Sequence, residues 1–378
     1  MPRPFYYLAT IRLPSDRAHG WQIIKTAAAL TAAGAPLTML VPDRRVDSAV
    51  DPFEFFQAAP RFPLVRLPAL DLVTSGGWGR VGFFILSYTF YRAARRYLAT
   101  APPGIYYTRD SIIAWFLARR LQPVYLELHT LPQRITGFHR RTWERCQGII
   151  VISAGLKEAL VKIGIPAGKI TIARDAVDLE MFAGLPSQAE CRRELGLPLD
   201  QPIVVYTGHL YSWKGADTLA AAATHLPVAS KAQIYLVGGS AAEAAVFQQR
   251  YSNPQLTIVP WQSPERIPRW LAAADVLVLP NSAHTDIGAR YTSPLKLFEY
   301  LAAGRPIIAA DVPALREVLS EETTAWFRPD DPASLARSLA NLLADRARCA
   351  ILAENSRRLS RQFSWQARAA IILAAVNK

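Results

Sequence analysis

The sequence predicts an α/β protein with two doubly wound parallel sheets, one in each half of the chain. Short apolar strands alternate with helical stretches from the first residues onward, a polar and proline-bearing stretch interrupts them at 184–202, and the alternation then restarts. Alternating strands and helices favour parallel sheets covered by helices on both faces. We therefore expect one Rossmann-like domain over residues 1–185 and a second over residues 186–362.

Composition describes a globular chain. The 378 residues are 51% hydrophobic and 19% charged, unlike a disordered chain. The three cysteines are scattered and odd in number, so they indicate a reducing compartment rather than a disulfide framework or a metal site. The first residues are typical of a strand rather than a secretory signal, and no stretch approaches the ~18 apolar residues of a membrane span. We expect a cytoplasmic protein, with a peripheral position at the inner face of the cell membrane as the alternative.

A formal net charge of +13 indicates an acidic partner. An anionic membrane, a nucleic acid and sugar phosphates all qualify, and a basic surface without a specific partner is the alternative. The sequence has no zinc-finger, RRM, KH or basic-zipper pattern. We therefore do not expect a nucleic-acid partner.

The stretch at 78–98 combines apolar and basic residues in one predicted helix. Aromatic and aliphatic residues fill its first half, and Arg92, Arg95 and Arg96 follow. A helix that is apolar and then basic fits the interface of an anionic membrane. A buried helix of the first domain with a solvated basic end is the alternative.

Polar residues follow several predicted strands of the first half. The first strand leads into a loop with His19 and Gly20, the strand IYYT leads to Arg109, and the strand VYLEL contains Glu127 and leads to His129. Because ligands of a parallel sheet bind at the carboxyl ends of its strands, these residues are candidates for a binding cleft. Ordinary loop polarity, and for the histidine a structural role, are the alternatives.

Two glycine turns follow predicted strands of the second half. In PIVVYTGHLYSWKG, Gly208 ends the strand and Lys214 comes just before a helix, an arrangement that favours anion binding. In IYLVGGS, Gly238 allows either close approach of a ligand to the backbone or a tight turn.

The stretch TSPLKLFEYLAAGRP predicts a buried helix with a polar beginning. Ser293 is a suitable N-cap, Pro294 fits the first helical position, and a glycine and a proline end the helix. Lys296 in the first turn and Glu299 one turn deeper do not fit a plain core helix. Free N–H groups with a lysine favour phosphate, and a carboxylate accepts hydrogen bonds from sugar hydroxyls, as a nucleoside diphosphate requires. An ion pair between Lys296 and Glu299 on an exposed edge is the alternative.

The longer stretch SPLKLFEYLAAGRPIIAAD resembles GT-B glycosyltransferases of the retaining family 4, and the resemblance covers nearly the whole chain. It implies two Rossmann-like domains facing a central cleft, with the segment 363–378 closing back onto the first domain. The residues expected to bind the donor diphosphate and its ribose are Gly208, Lys214, Ser293, Pro294, Leu295, Lys296 and Glu299. Those expected near the nucleotide base are Gly238, Trp261 and Gln262. Those expected at the acceptor side of the cleft are His19, Gly20, Arg109 and Glu127.

The same resemblance assigns three residues to catalysis. His129 would contact the donor sugar, and Lys214 and His209 would stabilise the departing diphosphate. Family 4 proteins typically have an arginine at the position of His209 and a glutamate at that of Tyr291. Because of these two departures, the resemblance does not indicate which sugar the donor carries. It also leaves open how fully the charge of the departing diphosphate is stabilised.

The predicted reaction transfers a sugar, with retention of configuration, from a nucleoside diphosphate sugar to a hydroxyl of a glycan, lipid or small-molecule acceptor. We expect no metal and no other cofactor, because cations and helix N–H groups can stabilise the diphosphate. Asp175 and Asp178 are spaced like metal ligands but have no third ligand nearby, and we interpret them as structural. A catalytically silent subunit that binds a membrane or a partner enzyme, and a nucleotide-sugar epimerase, are the alternatives. The sugar, the base and the acceptor stay open.

Overall fold

The computed structural model describes residues 2–15, 18–44, 50–73, 79–227 and 231–377. The chain forms two compact units, each built around its own parallel sheet. Unit 1 comprises Met1–Ile152, Leu156–Arg174 and Trp365–Lys378, and unit 2 comprises Ser153–Gly155 and Asp175–Ser364. The predicted fold class of two doubly wound α/β domains is confirmed.

Thirteen strands lie in the described part of the chain, and all of their pairings are parallel. They are β1 (Phe5–Leu8), β2 (Leu37–Pro42), β3 (Leu64–Leu67), β4 (Ile105–Thr108), β5 (Val124–Leu128), β6 (Gly148–Val151), β7 (Ile170–Ile172), β8 (Ile203–Thr207), β9 (Gln233–Val237), β10 (Leu256–Val259), β11 (Val276–Leu279), β12 (Ile307–Ala310) and β13 (Thr324–Phe327).

Fifteen α-helices lie in the same described residues. They are α1 (Ala18–Ala32), α2 (Pro52–Phe55), α3 (Gly79–Thr100), α4 (Ser111–Leu117), α5 (Gly137–Arg145), α6 (Ala154–Lys162), α7 (Gln188–Leu195), α8 (Ala216–Ala222), α9 (Ala241–Arg250), α10 (Ile267–Ala273), α11 (Leu295–Ala303), α12 (Pro313–Arg316), α13 (Pro332–Ala344), α14 (Arg346–Ser360) and α15 (Trp365–Val376).

Strand order places a switch point in each sheet. The order is β3-β2-β1-β4-β5-β6-β7 in unit 1 and β10-β9-β8-β11-β12-β13 in unit 2. The central strands are short apolar runs buried along their whole length, as parallel strands covered by helices require. The chain reverses its direction of winding between β1 and β4 and between β8 and β11. Open α/β sheets bind ligands outside the carboxyl ends of strands at such points.

The first helix begins earlier than the sequence indicated. Helix α1 starts at Ala18, so His19 and Gly20 lie in its first turn rather than in a loop. Gly20 is buried, and a Cβ atom on it would come 3.1 Å from Cζ of Phe56. This packing requires a small residue, so the glycine has a structural reason that does not depend on a ligand.

The polar stretch at 184–202 is not a bare linker. It contains helix α7, whose buried Arg192 forms an ion pair with the partly exposed Asp275, with 2.6 Å between Nη2 and Oδ2. Leu185 also packs against the core of unit 2. The chain passes from unit 1 to unit 2 between residues 174 and 175, whereas the predicted boundary lies at 185.

Helix α15 belongs to unit 1 although 190 residues of unit 2, 175–364, precede it in the chain. Its buried Trp365, Ala369, Ile372 and Val376 are spaced so that they share one face, and the helix packs against α1. It occupies most of the segment predicted at 363–378, whose last residue lies outside the described part of the chain.

The helix predicted at 78–98 is α3, which runs from Gly79 to Thr100, and residue 78 lies outside the described residues. Leu86, Phe90, Ala94 and Leu98 are buried along one face. Among the helices that the structure describes, none is long and apolar enough to cross a membrane.

Candidate functional site

In unit 2, two glycines bring the carboxyl ends of β8 and β9 close together. Gly208 has φ of +129° and Gly238 has φ of +141°, in the region that side chains disfavour. A Cβ atom on Gly238 would come 2.2 Å from the carbonyl oxygen of Gly208, and one on Gly208 would come 3.2 Å from Nζ of Lys296. Glycine at 208 therefore leaves room for the lysine, and glycine at 238 allows the two turns to approach each other.

Lys214 lies in the turn that follows β8. A short 3-10 turn, Ser212–Lys214, leads to Gly215, which has φ of +74° and begins α8. The Nζ atom of Lys214 lies 5.6 Å from the ring centroid of Tyr211 and 5.2 Å from that of Trp213. Burial lowers the pKa of Lys214 to about 8. The chain therefore holds an ammonium group beside two aromatic rings at the switch point.

The beginning of α11 differs from the predicted cap. Helix α11 starts at Leu295, Pro294 precedes it in an extended conformation, and no side chain caps the helix. The Oγ atom of Ser293 instead accepts a hydrogen bond from the backbone N–H of Asp175 at 3.2 Å. The prediction that Ser293 caps the helix was wrong. Pro294 occupies the N-cap position, so Ser293 lies one residue before it. The N–H groups of Leu295 and Lys296 consequently have no partner within the helix.

Lys296 is a buried cation. Only 8% of the residue is exposed, and within the described part of the chain its Nζ atom has no hydrogen-bond partner. The Nζ atom lies 3.7 Å from the ring centroid of Tyr206. Burial, with repulsion from Lys214, lowers the pKa of Lys296 well below its usual value, and the carboxyl of Glu299 opposes this effect. An unpartnered ammonium in such a place is costly unless an anion binds to it.

Glu299 lies one turn deeper in α11 and is partly buried. Burial raises the pKa of its carboxyl to about 7, and the charge of Lys296 opposes this shift. No hydrogen bond joins Lys296 to Glu299 in the described structure. The alternative of an ion pair on an exposed edge is therefore wrong, since Lys296 is neither exposed nor paired.

The remaining unit 2 candidates lie nearer the surface. His209 is exposed and stacks on Tyr211, with 4.9 Å between ring centroids and 6° between planes. Trp261 is 51% exposed, and its backbone N–H donates to the carbonyl of Gly239 at 2.8 Å. The Nε2 atom of Gln262 donates to backbone carbonyls of its own turn. The hydrogen bond from Trp261 to Gly239 thus holds the backbone just before Gln262 beside the glycine turn at 238–239.

In unit 1, one buried carboxylate gathers the polar residues at the sheet edge. Glu127 in β5 is 2% exposed, and its Oε1 atom contacts Nε2 of His129 and lies 2.6 Å from Nη2 of Arg368. The hydroxyl of Tyr107 donates to Oε2, and Nε of Arg109 lies 3.9 Å from Oε1. Burial alone would raise the pKa of this carboxyl, but Arg368 and His129 hold it well below its usual value.

These contacts change the interpretation of the unit 1 candidates. Glu127 was expected to face the acceptor, but its side chain is enclosed by protein donors. Arg109 is partly exposed and its Nη2 atom donates to Oε1 of Gln22 at 3.2 Å. His129, with 16% of its side chain exposed, is the member of the group that lies at the carboxyl end of β5 and reaches the surface. His19 lies on α1, in the same unit, and is partly buried.

Sequence reasoning missed three residues that complete the two sites. They are Tyr107, Tyr206 and Arg368. The tyrosines are hidden in apolar strands and give no separate signal. Arg368 is the one charged residue in the mostly apolar helix WQARAAIILAAV. Lys296 and Glu299 were identified as charged residues within an apolar helical pattern, and the same criterion applies to Arg368.

In the residues that the structure describes, no three histidine, cysteine, aspartate or glutamate side chains gather as metal ligands would. Asp178 instead accepts a hydrogen bond from the backbone N–H of Glu180 at the start of a short 3-10 turn. The absence of a metal requirement stays a prediction.

Two family models match most of the chain. The model described as Glycosyltransferase Family 4 matches residues 20–181, and the model described as Glycosyl transferases group 1 matches residues 201–345. This chain belongs to the group 1 glycosyltransferases. The resemblance drawn from the α11 stretch is therefore confirmed.

Curated relatives and solved structures of other proteins resemble this group 1 chain. The D-inositol 3-phosphate glycosyltransferase of Xylanimonas cellulosilytica is 32% identical over 230 residues, which cover 57% of this chain and 53% of that protein. The chain spans about half the length of the curated relatives it matches. Sucrose-phosphate synthase from Thermosynechococcus elongatus has a TM-score of 0.80 at 24% identity over 98% of each chain. Anabaena HepE, solved in complex with UDP, has a TM-score of 0.73 at 17% identity over 99% of each chain. The two structures show the fold that this chain shares, GT-B.

Proposed function

We propose that this chain transfers a sugar from a nucleoside diphosphate sugar to an acceptor hydroxyl, with retention of configuration and without a metal. The observation that carries the proposal is the buried ammonium of Lys296, which has no hydrogen-bond partner in the described structure. It lies at the beginning of α11, beside Gly208 and close enough to Lys214 for repulsion to lower its pKa. Two neighbouring cations at a helix N-terminus favour a polyanion.

A diphosphate fits the charge of this site. Lys214, Lys296 and the N–H groups that begin α11 supply positive charge without a metal ion. Such groups stabilise a diphosphate more strongly as it departs, because negative charge grows on it when the bond to the sugar breaks. His209 is exposed and would add a weaker, screened contribution.

Glu299 is proposed to accept hydrogen bonds from the ribose hydroxyls. It lies one turn along α11 from Lys296, and burial raises its pKa to about 7. Hydrogen bonds donated by ribose would favour the ionised carboxylate and so oppose this shift. The base would lie on the side of Gly238, Trp261 and Gln262.

The acceptor side is proposed to lie in unit 1. His129 would contact the donor sugar, while Arg109 and His19 would contact the acceptor. A glycan, a lipid or a small sugar phosphate all satisfy this chemistry. The name of the Xylanimonas relative makes D-inositol 3-phosphate one acceptor to test.

Ligand-induced stabilisation tests the proposal first. UDP, GDP and ADP would each be added at low salt, and we expect one of them to raise the melting temperature by mass action. UDP is the first choice because Anabaena HepE was solved with it. The matching nucleotide sugars would then be assayed for turnover with and without acceptors. Stabilisation without any turnover would instead favour a catalytically silent nucleotide-binding subunit.

A variant of Glu299 tests the proposed contact with the ribose. Glu299→Leu removes the proposed ribose contact, and we expect the affinity for the stabilising nucleotide to fall by at least ~10-fold. Glu194→Gln is the control, since this exposed carboxylate on α7 pairs with Arg269 at the surface of unit 2. Equal affinity of both variants would count against the ribose assignment.

We further infer that an anionic membrane binds the outer face of α3, which we define as Val81, Phe84, Tyr88, Arg92 and Arg95. The three apolar residues are 58%, 49% and 40% exposed, and both arginines are exposed. Their spacing places them on one side of the helix, apolar in the first turns and basic in the last. This arrangement suits insertion of rings between lipids while arginines contact phosphate.

Sedimentation with vesicles tests the outer face of α3. We expect binding to phosphatidylcholine vesicles that contain phosphatidylglycerol and weak binding to phosphatidylcholine alone. The double variant F84S and Y88S should lose this binding. Val246→Ser is the control, because that residue is 66% exposed on α9 of unit 2. Unchanged binding of the double variant would place the membrane contact elsewhere.

A further inference from the structure

We propose that Glu127 and Arg368 act as positioning residues that fix the imidazole of His129 in one tautomer and one orientation. The proposal rests on the proposed function only through the contact of His129 with the donor sugar. Its structural part, the fixed imidazole, can be tested without any turnover.

The strand places Glu127 and His129 on the same side of the sheet. The two residues are separated by one position along β5 and its end, and side chains in a strand return to the same face every second residue. Glu127 therefore presents Oε1 to Nε2 of the histidine, and the structure shows this contact directly. With the carboxylate ionised, Nε2 carries the proton and donates it into the hydrogen bond.

Arg368 keeps the carboxylate in place. Its Nη2 atom donates to Oε1 of Glu127 at 2.6 Å, and its Nη1 atom donates to the backbone carbonyls of Ala173 and Arg174, the latter at 2.6 Å. The side chains of both members of the pair are 1% exposed. Because a guanidinium is planar and is held here by several acceptors, it fixes the direction of the carboxylate as well as its charge.

The remaining lone pairs of Glu127 are also engaged by protein. The hydroxyl of Tyr107 donates to Oε2, and burial together with the nearby carboxylate raises the pKa of that tyrosine well above its usual value. The carboxylate is therefore enclosed by donors from β4, α15 and its own strand, and it does not face a ligand. Among its contacts in the described structure, those with His129 and Arg109 involve partly exposed side chains, and the contact with His129 is the shorter.

A purely structural role is the competing interpretation, in which the ion pair only attaches α15 to the sheet. Single variants cannot separate the two, because removal of one partner leaves the other charge buried and destabilises the protein. Replacement of both partners of a buried ion pair by apolar residues of similar size is often neutral for stability. The double variant E127M and R368M should therefore fold while His129 loses its acceptor.

Imidazole NMR spectra and kinetics give the decisive readouts. In the unaltered protein, long-range ¹H–¹⁵N spectra should show His129 as a single tautomer with the proton on Nε2, and a His129→Gln variant assigns the signal. In the double variant we expect a mixture of tautomers, together with kcat lower by roughly 10- to 100-fold and KM within about twofold. The control is the double variant R192M and D275M, which replaces the partly buried Arg192–Asp275 ion pair of unit 2 and should change neither the spectrum nor kcat.

Two results would overturn the proposal. One is a folded double variant of Glu127 and Arg368 with an unchanged imidazole spectrum and unchanged kcat, which would leave the pair a structural role alone. The other is a mixture of His129 tautomers in the unaltered protein, which decides against a fixed ring even if the double variant does not fold. If the ring is fixed but no nucleotide sugar is turned over, the failure lies with the proposed function instead.

Discussion

The sheet edges of the two units handle buried charge in opposite ways. In unit 1 the buried carboxylate of Glu127 is matched by Arg368, Tyr107 and His129. In unit 2 the buried ammonium of Lys296 has no hydrogen-bond partner among the described residues. A folded chain rarely tolerates a buried charge without a partner, except where function requires it. Within the described residues, unit 1 thus supplies partners for its buried carboxylate, whereas unit 2 leaves a buried ammonium without one, as the proposed diphosphate site requires.

The largest expected effect concerns the buried ion pair between Glu127 and Arg368 in unit 1. Arg368→Met leaves the carboxylate of Glu127 buried without its main counter-charge, and we expect the free energy of unfolding to fall by about 3–5 kcal/mol. Urea denaturation followed by far-UV circular dichroism would measure the change. A loss below about 1 kcal/mol would mean that Glu127 does not depend on the arginine, and the two units would no longer differ.

The next effect concerns the buried ammonium of Lys296 in unit 2. Lys296→Met removes an ammonium whose burial outweighs its contact with Tyr206 and the charge of Glu299, so the melting temperature of the free protein should stay the same or rise. The affinity for the stabilising nucleotide should fall by about 10- to 150-fold, the value of a hydrogen bond to a charged group. Isothermal titration calorimetry and thermal melting give the two numbers.

A lysine in unit 1 provides the matched control for Lys296. Lys25 is 6% exposed, and its Nζ atom donates to the carbonyl of Gln57 at 2.6 Å. Lys25→Met should therefore lower the melting temperature and leave nucleotide affinity unchanged. If Lys296→Met instead destabilised the protein and bound the nucleotide normally, Lys296 would be an ordinary core residue.

A smaller effect follows from pH. Burial lowers the pKa of Lys214 from the usual 10.5 to about 8, so between these values the unfolded chain binds more protons than the folded one. The contribution of this group to stability therefore rises with pH over that window. A bound diphosphate favours the protonated lysine, so nucleotide affinity should fall over the same window, by up to about tenfold per pH unit. Titrations at pH 7, 8 and 9 in buffers of different ionisation enthalpy would detect the proton uptake, and affinity independent of pH would remove Lys214 from the site.

The smallest expected effect concerns the exposed histidine. His209→Ala should weaken nucleotide binding by only about two- to fivefold, because charges at the surface are screened by solvent and contribute about 1 kcal/mol or less. The same calorimetric titration measures it. A loss as large as that of Lys296→Met would show that burial does not decide which cation binds the ligand.

The fold could be predicted from the sequence because its signals are local. Apolar strands such as Phe5–Leu8 and Ile203–Thr207 stand between turn residues, and their regular alternation with helices is enough to predict parallel sheets. The start of α1 was misjudged because Gly20 was interpreted as a loop residue. The glycine is required instead by contact with Phe56, which lies far from it in the sequence.

The site was predictable in unit 2 and only partly in unit 1. Lys296 and Glu299 were visible because each interrupts an apolar helical pattern within a single stretch. The burial of the lysine against Tyr206 was not, since it depends on how two separate elements pack. Likewise the partner of Glu127 is 241 residues away in the chain, and no local pattern joins the two.

That separation also bears on the order in which the protein can be made. A ribosome adds about 5–20 residues per second, so the arginine emerges on the order of ten to fifty seconds after the glutamate it neutralises. The whole of unit 2 is synthesised in that interval and can fold first. Until α15 arrives, the carboxylate of Glu127 lacks Arg368, its main counter-charge, and α1 lacks the helix that packs against it. The dependence of unit 1 on chaperones should therefore be concentrated in this interval.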